Sequence, residues 1–173
     1  ALATSIHANI DTNVAEIWMK ATDFQGCVEI MSGQKNNNLS INAGYDEALI
    51  AFEKGDTLKA MKLINSYIKK NPKSKEGYLL RAFINTYDLS EYDKALEDVD
   101  KAIEIDQSYA IAYALKADIF YFDIGGSASQ TKKMLNKAFE ISPDNPFVNF
   151  VKGDFYYDDS FVLLDKDKKE SVS

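Results

Sequence analysis

Catalysis and ligation need side chains that attack, bind metal or trade protons, and this chain carries few of them. His7 is the only histidine and Cys27 the only cysteine. A lone cysteine forms no internal disulfide and no thiolate cluster. Without a neighbouring base it stays a thiol, and its place at a packing position reads as a small buried residue. Gly125-Gly126-Ser127 lacks the lysine that a phosphate-cradling loop needs, and DKDKKESVS at residues 165–173 lacks the central Gly and closing Glu of a calcium loop. Asn38-Leu39-Ser40 fits a glycosylation triplet, which matters only in a secreted eukaryotic protein. Lys69, Lys70, Lys73 and Lys75 cluster at a predicted helix end, where cations complement the helix dipole. These residues predict no catalytic, cofactor or metal site, and an enzyme is not expected.

Bulk properties narrow the classes further. Apolar residues make up 46% of the 173 and charged residues 27%, a globular composition able to bury a core without disulfides. No apolar run approaches the roughly eighteen residues of a membrane span. The net charge of −7 argues against duplex nucleic acid, which requires a cationic footprint, and favours a basic or apolar partner. The sequence opens on Ala-Leu-Ala instead of Met, so it reads as processed or trimmed. Small residues suit a signal-peptidase cut, but the apolar core of a signal is not in the chain, and export and trimming both stay open.

The elements that must position any functional residue repeat along the chain. In YDKALEDVDKAIEID, residues 92–106, steps of three and four between apolar positions put one apolar face on a helix. Sliding LKAMKLINSYIKKNP, residues 58–72, by 35 puts Ala60 on Ala95, Ile64 on Val99 and Ile68 on Ile103. TKKMLNKAFEISP, residues 131–143, matches at a shift of 36, with Leu135 on Val99 and Ala138 on Ala102. A second helix precedes each. Residues 76–87 and 111–122 align at 35, pairing Tyr78 with Tyr113, Leu80 with Leu115, Arg81 with Lys116 and Ala82 with Ala117. Ala48, Ala82, Ala117 and Gly153 stand 34, 35 and 36 residues apart. Two helices per unit at this period predict a helical repeat stack, whereas a plain helix bundle has no need of small residues at a fixed period.

The pattern resembles the tetratricopeptide repeat family. Tyr78, Ala82, Ala95, Val99 and Ala102 match its large and small positions in the middle unit. Ala48, Ala60, Ile64 and Pro72 do so in the first, and Tyr113, Ala117, Phe120, Leu135, Ala138 and Pro143 in the third. Small residues let paired helices approach, and large ones fill the holes. Tyr67 and Thr131 depart from the pattern by standing at small positions, Gln107 stands for a proline, and the second and third inter-helix turns carry inserted residues. The resemblance implies an all-α fold, a right-handed helical solenoid of antiparallel helix pairs. Residues 42–158 would form the repeat domain, three full repeats plus a C-terminal A helix, with a short partner helix beginning at 160–164. Residues 1–41 would be an N-terminal helical extension. Within it, 9–34 reads as a worn repeat with Cys27 and Met31 at packing positions and Trp18 the largest apolar residue of the helix before them, or as a family-specific extension. Residues 159–173 would cap the stack and end in a charged tail.

In such proteins the first helix of each pair lines the ligand-binding groove. Carried over, the lining positions are Tyr45, Leu49, Phe52 and Glu53; Leu79, Phe83, Thr86 and Tyr87; Ala114, Asp118, Tyr121 and Phe122; and Phe150, Asp154, Tyr157 and Asp158. None is Lys or Arg, so the carboxylate clamp of the family's chaperone-binding members is absent. The aromatics offer contact area at low entropic cost, and Asp118, Asp154 and Asp158 are suited to orient a basic residue. The expected partner is a peptide or protein with apolar anchors and a Lys or Arg. The same aromatics equally fit simple packing against neighbouring helices. Two function classes follow: a non-enzymatic adaptor capturing a peptide, or a structural subunit that docks flatly on an assembly or self-associates.

Overall fold

The computed structural model describes residues 43–122 and 127–156, and among them every regular element is helical, with no strand. In chain order these are α1 (Ala43–Glu53), α2 (Thr57–Lys70), α3 (Lys75–Phe83), α4 (Tyr92–Ile105), α5 (Ala110–Phe122), α6 (Ala128–Ile141) and a last helix, α7, over residues 146–156. The most extensive packing joins α1 to α2, α3 to α4 and α5 to α6, while α2 meets α3 and α4 meets α5. None of the described helices is long and apolar enough to cross a membrane. The worn repeat at 9–34 with Cys27, the glycosylation triplet, the 125–126 glycines and the partner helix at 160–164 lie outside the described residues.

Local chemistry sets the boundaries. Gly55, at φ 70°, ends α1 in a left-handed turn. Its N–H donates to the Phe52 carbonyl and that of Asp56 to the Ala51 carbonyl. Asp56 then caps α2 by accepting from the Lys59 amide at 3.2 Å, Ser74 caps α3 through Gly77 at 3.1 Å, and Asn145 caps α7 through Phe147 and Val148. Gln107 stands where other units carry proline, and here Asp106 fixes the turn. Its carboxylate accepts from the Ser108 amide at 2.9 Å and hydroxyl at 2.6 Å.

The core is a stripe of alanines interleaved with large residues. Ala48, Ala60, Ala82, Ala95, Ala102, Ala112, Ala114, Ala117 and Ala138 are fully buried, beside Phe52, Ile64, Phe83, Val99, Leu115, Ile119 and Leu135. Two departures from the small-residue pattern are compensated. Thr131 is buried, but its hydroxyl donates to the Ser127 carbonyl one helical turn back. Tyr67 is buried against Gly77, where an added Cβ would lie 3.1 Å from two ring carbons. Tyr67 and Gly77 correspond to Ala102 and Ala112 in the next unit and to Ala138 and Val148 in the one after. The large ring is matched by the smallest residue.

The inserted residue of the second unit takes a specific form. Thirteen positions separate Ala82 from Ala95, against twelve between Ala48 and Ala60, and α3 widens into a π turn over Ile84–Asp88. The Leu89 amide donates to the Ile84 carbonyl five residues back, and Ser90 follows at φ 54°. The sequence predicts a regular helix through Tyr87; the structure has a π turn at its end. The corresponding turn of the third unit falls at 123–126, outside the described residues.

Gly77→Val should push the buried Tyr67 ring aside and destabilise the protein by about 1–3 kcal/mol in denaturant melts. In a Tyr67→Ala background, which recreates the Ala138/Val148 pairing, the same change should be tolerated. The double variant should lose at least about 0.5 kcal/mol less than the sum of the singles.

Candidate partner-binding surface

The candidates on α1 differ in depth. Tyr45 and Leu49 are half-buried, whereas Phe52 lies in the core at 1% exposure. The Tyr45 ring sits 5.7 Å from Tyr67, tilted by 57°, and burial pushes its phenol well above the ordinary range, helped by the charge of Glu76. Tyr109, just before α5, is raised for the same reason and shares an electrostatic coupling with Tyr45.

The remaining candidates converge. Phe83 is 1% exposed. Its ring stacks on Tyr87 at 5.7 Å and meets the edge of Phe147 of α7 at 5.3 Å. A ring on α3 thus touches a ring on α7. The half-buried Phe150 lies 6.4 Å from Phe147. Tyr121 packs edge-on against Phe122 at 5.5 Å and Phe155 at 6.0 Å. Phe122 itself is 45% exposed. Tyr87 donates its hydroxyl to the Asp118 carboxylate, and Asp154 of α7 is close enough to act on the same carboxyl. Tyr157 and Asp158 lie outside the described residues.

The π turn carries the polar side of this region. Asn85 donates to Asp98 at 3.5 Å, Thr86 to the Ala82 carbonyl at 2.9 Å, and Asp88 accepts from Thr57 at 2.6 Å. One extra residue per turn re-aims these side chains, with Tyr87 directed onto α5.

The basic residues of the same helices are committed elsewhere. The Arg81 guanidinium donates to both oxygens of the buried Asp98, at 2.8 and 2.6 Å, and to Asn65 of α2 at 2.7 Å. The bonds to Asp98 raise its pKa further. Thirty-five residues on, Lys116 pairs with Asp100 of α4, the counterpart of Asn65. The repeat therefore extends from core to polar contacts. Lys152 lies 3.5 Å over the Phe139 ring.

Sequence reasoning missed Phe147 and the Arg81 junction. Phe147 precedes Gly153 by six residues, as Ile111 precedes Ala117, so its face was readable though its contact with Phe83 was not. Arg81 and Lys116 had been paired only as equivalent positions. Their partners Asn65 and Asp100, also 35 apart, were the available signal.

No protein-family model matches the chain. Over 133 residues, 76% of its length, it is 29% identical to a TPR repeat-containing protein of Methanocaldococcus jannaschii. The chain spans 23% of that protein. The similarity is thus to a repeat protein of the kind the residue pattern resembles.

Arg81→Ala strands the buried Asp98 carboxylate and should cost about 1.5–3 kcal/mol in equilibrium unfolding. Arg81→Lys should recover only part of that, because an ammonium cannot hold both carboxylate oxygens and Asn65 in one plane.

Proposed function

We propose that the chain is a tetratricopeptide-repeat-type, non-enzymatic protein-interaction scaffold. In this reading its helix pairs are antiparallel and stack as a right-handed solenoid over residues 42–158. Residues 1–41 form a helical extension, and 159–173 a capping segment and charged tail. The observation that carries it is the set of fully buried small residues, Ala48, Ala82 and Ala117 on one helix of each pair and Ala60 and Ala95 on the other. Their period is that of a helical repeat, and the archaeal repeat protein supports the assignment.

The proposed partner is a peptide or protein segment with apolar anchors and a Lys or Arg. Tyr45, Leu49, Tyr87, Tyr121, Phe122, Phe150 and Asp154 keep surface on the first helices of the pairs. Phe52, Phe83 and Asp118 act from beneath by fixing the shape of that surface. The alternative, a subunit that docks flatly or self-associates, would use apolar area outside this set, of which Leu58 at 86% exposure is the most open example among the described residues.

Selection from a displayed random-peptide library tests the reading. Enriched peptides should carry aromatic or aliphatic anchors and a basic residue. Their affinity should fall about tenfold or more, about 1.4 kcal/mol, in Phe122→Ser with the circular dichroism spectrum unchanged. Enrichment of no peptide class, together with a mass that rises with protein concentration, would favour the self-associating subunit instead.

A further inference from the structure

Charge is unevenly shared among the described helices. α2 holds Lys59, Lys62, Lys69 and Lys70 and no acidic residue, and Lys73 follows just beyond its end. All five lysines are exposed, and none forms an ion pair among the described residues. The equivalent helices differ. α4 sets Lys101 against Glu104, and α6 sets Lys137 against Glu140 at the same two positions of the unit. One unit earlier these positions are Ser66 and Lys69, so an unpaired cation replaces the internal pair. The helix dipole accounts for Lys69 and Lys70 in the last turn of α2. It does not account for Lys59 in the first turn, where a cation opposes the dipole and repels Lys62 three residues on.

We propose that the exposed face of α2 is a second docking surface, which takes an acidic polypeptide segment lying along the helix with an apolar side chain at the Leu58 end. Leu58, 86% exposed, shares one face with Lys62 and Lys69, at steps of four and then seven residues. From Lys59 to Lys70 the helix rises about 16 Å, so a partner helix with carboxylates at steps of three and four presents matching charges. The neighbouring helix decides the class of partner. Arg81 holds Asn65 of α2 and Asp98 of α4 on one guanidinium, which sets the two helices side by side. α4 exposes Asp93, Glu97, Asp100 and Glu104. A bilayer or a duplex is wide enough to meet these acids together with the lysines, and a net charge of −7 adds to the repulsion. A single narrow segment lies on α2 alone. The lysines orient it through attraction that salt screens, and Leu58 contributes buried apolar area. This surface is distinct from the aromatic positions on the first helices, and its occupant carries the opposite charge, so neither depends on the other.

The whole chain can be screened against a displayed library of peptides about 15 residues long, the span of α2, with Glu or Asp fixed at steps of three and four. Binders should carry a large apolar residue near one end, and their affinity should weaken as salt rises. Lys62→Glu combined with Lys69→Glu should lower that affinity about tenfold or more, with the circular dichroism spectrum unchanged. Should charge reversal disturb the helix, Lys62→Gln combined with Lys69→Gln should give a smaller loss in the same direction. Lys132→Glu combined with Lys133→Glu makes an equal change of charge on exposed residues of α6 and should leave affinity unchanged. Phe122→Ser should leave it unchanged as well, which separates this surface from the aromatic one. An α6 variant that loses as much as the α2 variant would reveal diffuse attraction and overturn the proposal, as would a library without binders. Binding to phosphatidylserine vesicles or duplex DNA, or dimerisation of the chain, that needs Lys62 and Lys69 while no peptide binds would assign another occupant and also overturn it.

Discussion

Helix axes approach to about 8–10 Å only where the side chains between them are small, and this constraint governs the structure. Ala48 and Ala60 supply it for the first pair, Ala82 and Ala95 for the second, all fully buried. Each alanine gives little burial itself. Its value lies in the backbone proximity that lets Ile64, Val99, Leu115 and Leu135 interdigitate at the density of a protein interior. The constraint acts on facing positions together. Tyr67 is acceptable because Gly77 opposes it, leaving the ring the room that a Cβ there would occupy.

Polar groups drawn into this packing are satisfied locally. No side-chain nitrogen or oxygen buried among the described residues lacks a hydrogen-bond partner. The two buried acids show two solutions. Asp98 is held by a guanidinium that also reaches Asn65, so one residue ties α3 to α4 and α2. Asp118 has the Tyr87 hydroxyl as its hydrogen-bond donor, and burial first, then the charge of Asp154, pushes its carboxyl upward.

Much of the fold was legible because its signal is short in range. Periods of three and four residues marked the helices, and the recurrence of alanine at 34 to 36 residues marked the units. The π turn was visible only as a count, thirteen positions where another unit has twelve. Whether one extra residue widens a helix or lengthens a loop depends on partners such as Thr57 and Asp98, which lie in other helices. The candidate surface was legible by face and not by depth. Helical spacing put Phe52 and Tyr121 at corresponding positions on α1 and α5, yet the first is buried and the second half-buried. Burial depends on neighbours that a periodicity does not contain, as the ring of Phe147 over Phe83 shows.

The most direct test of this account is a graded volume series at Ala95, read as melting temperature. Ala95 is fully buried in α4, the helix that packs most extensively on α3. The account predicts a maximum at alanine. Glycine should fall below it through lost helix propensity, about 1 kcal/mol. Valine and then leucine should fall further as the helices are forced apart, with leucine costing about 1–3 kcal/mol. Valine and leucine variants that melt with the wild type would contradict it, because the backbones would then not be in the close contact on which everything else is built.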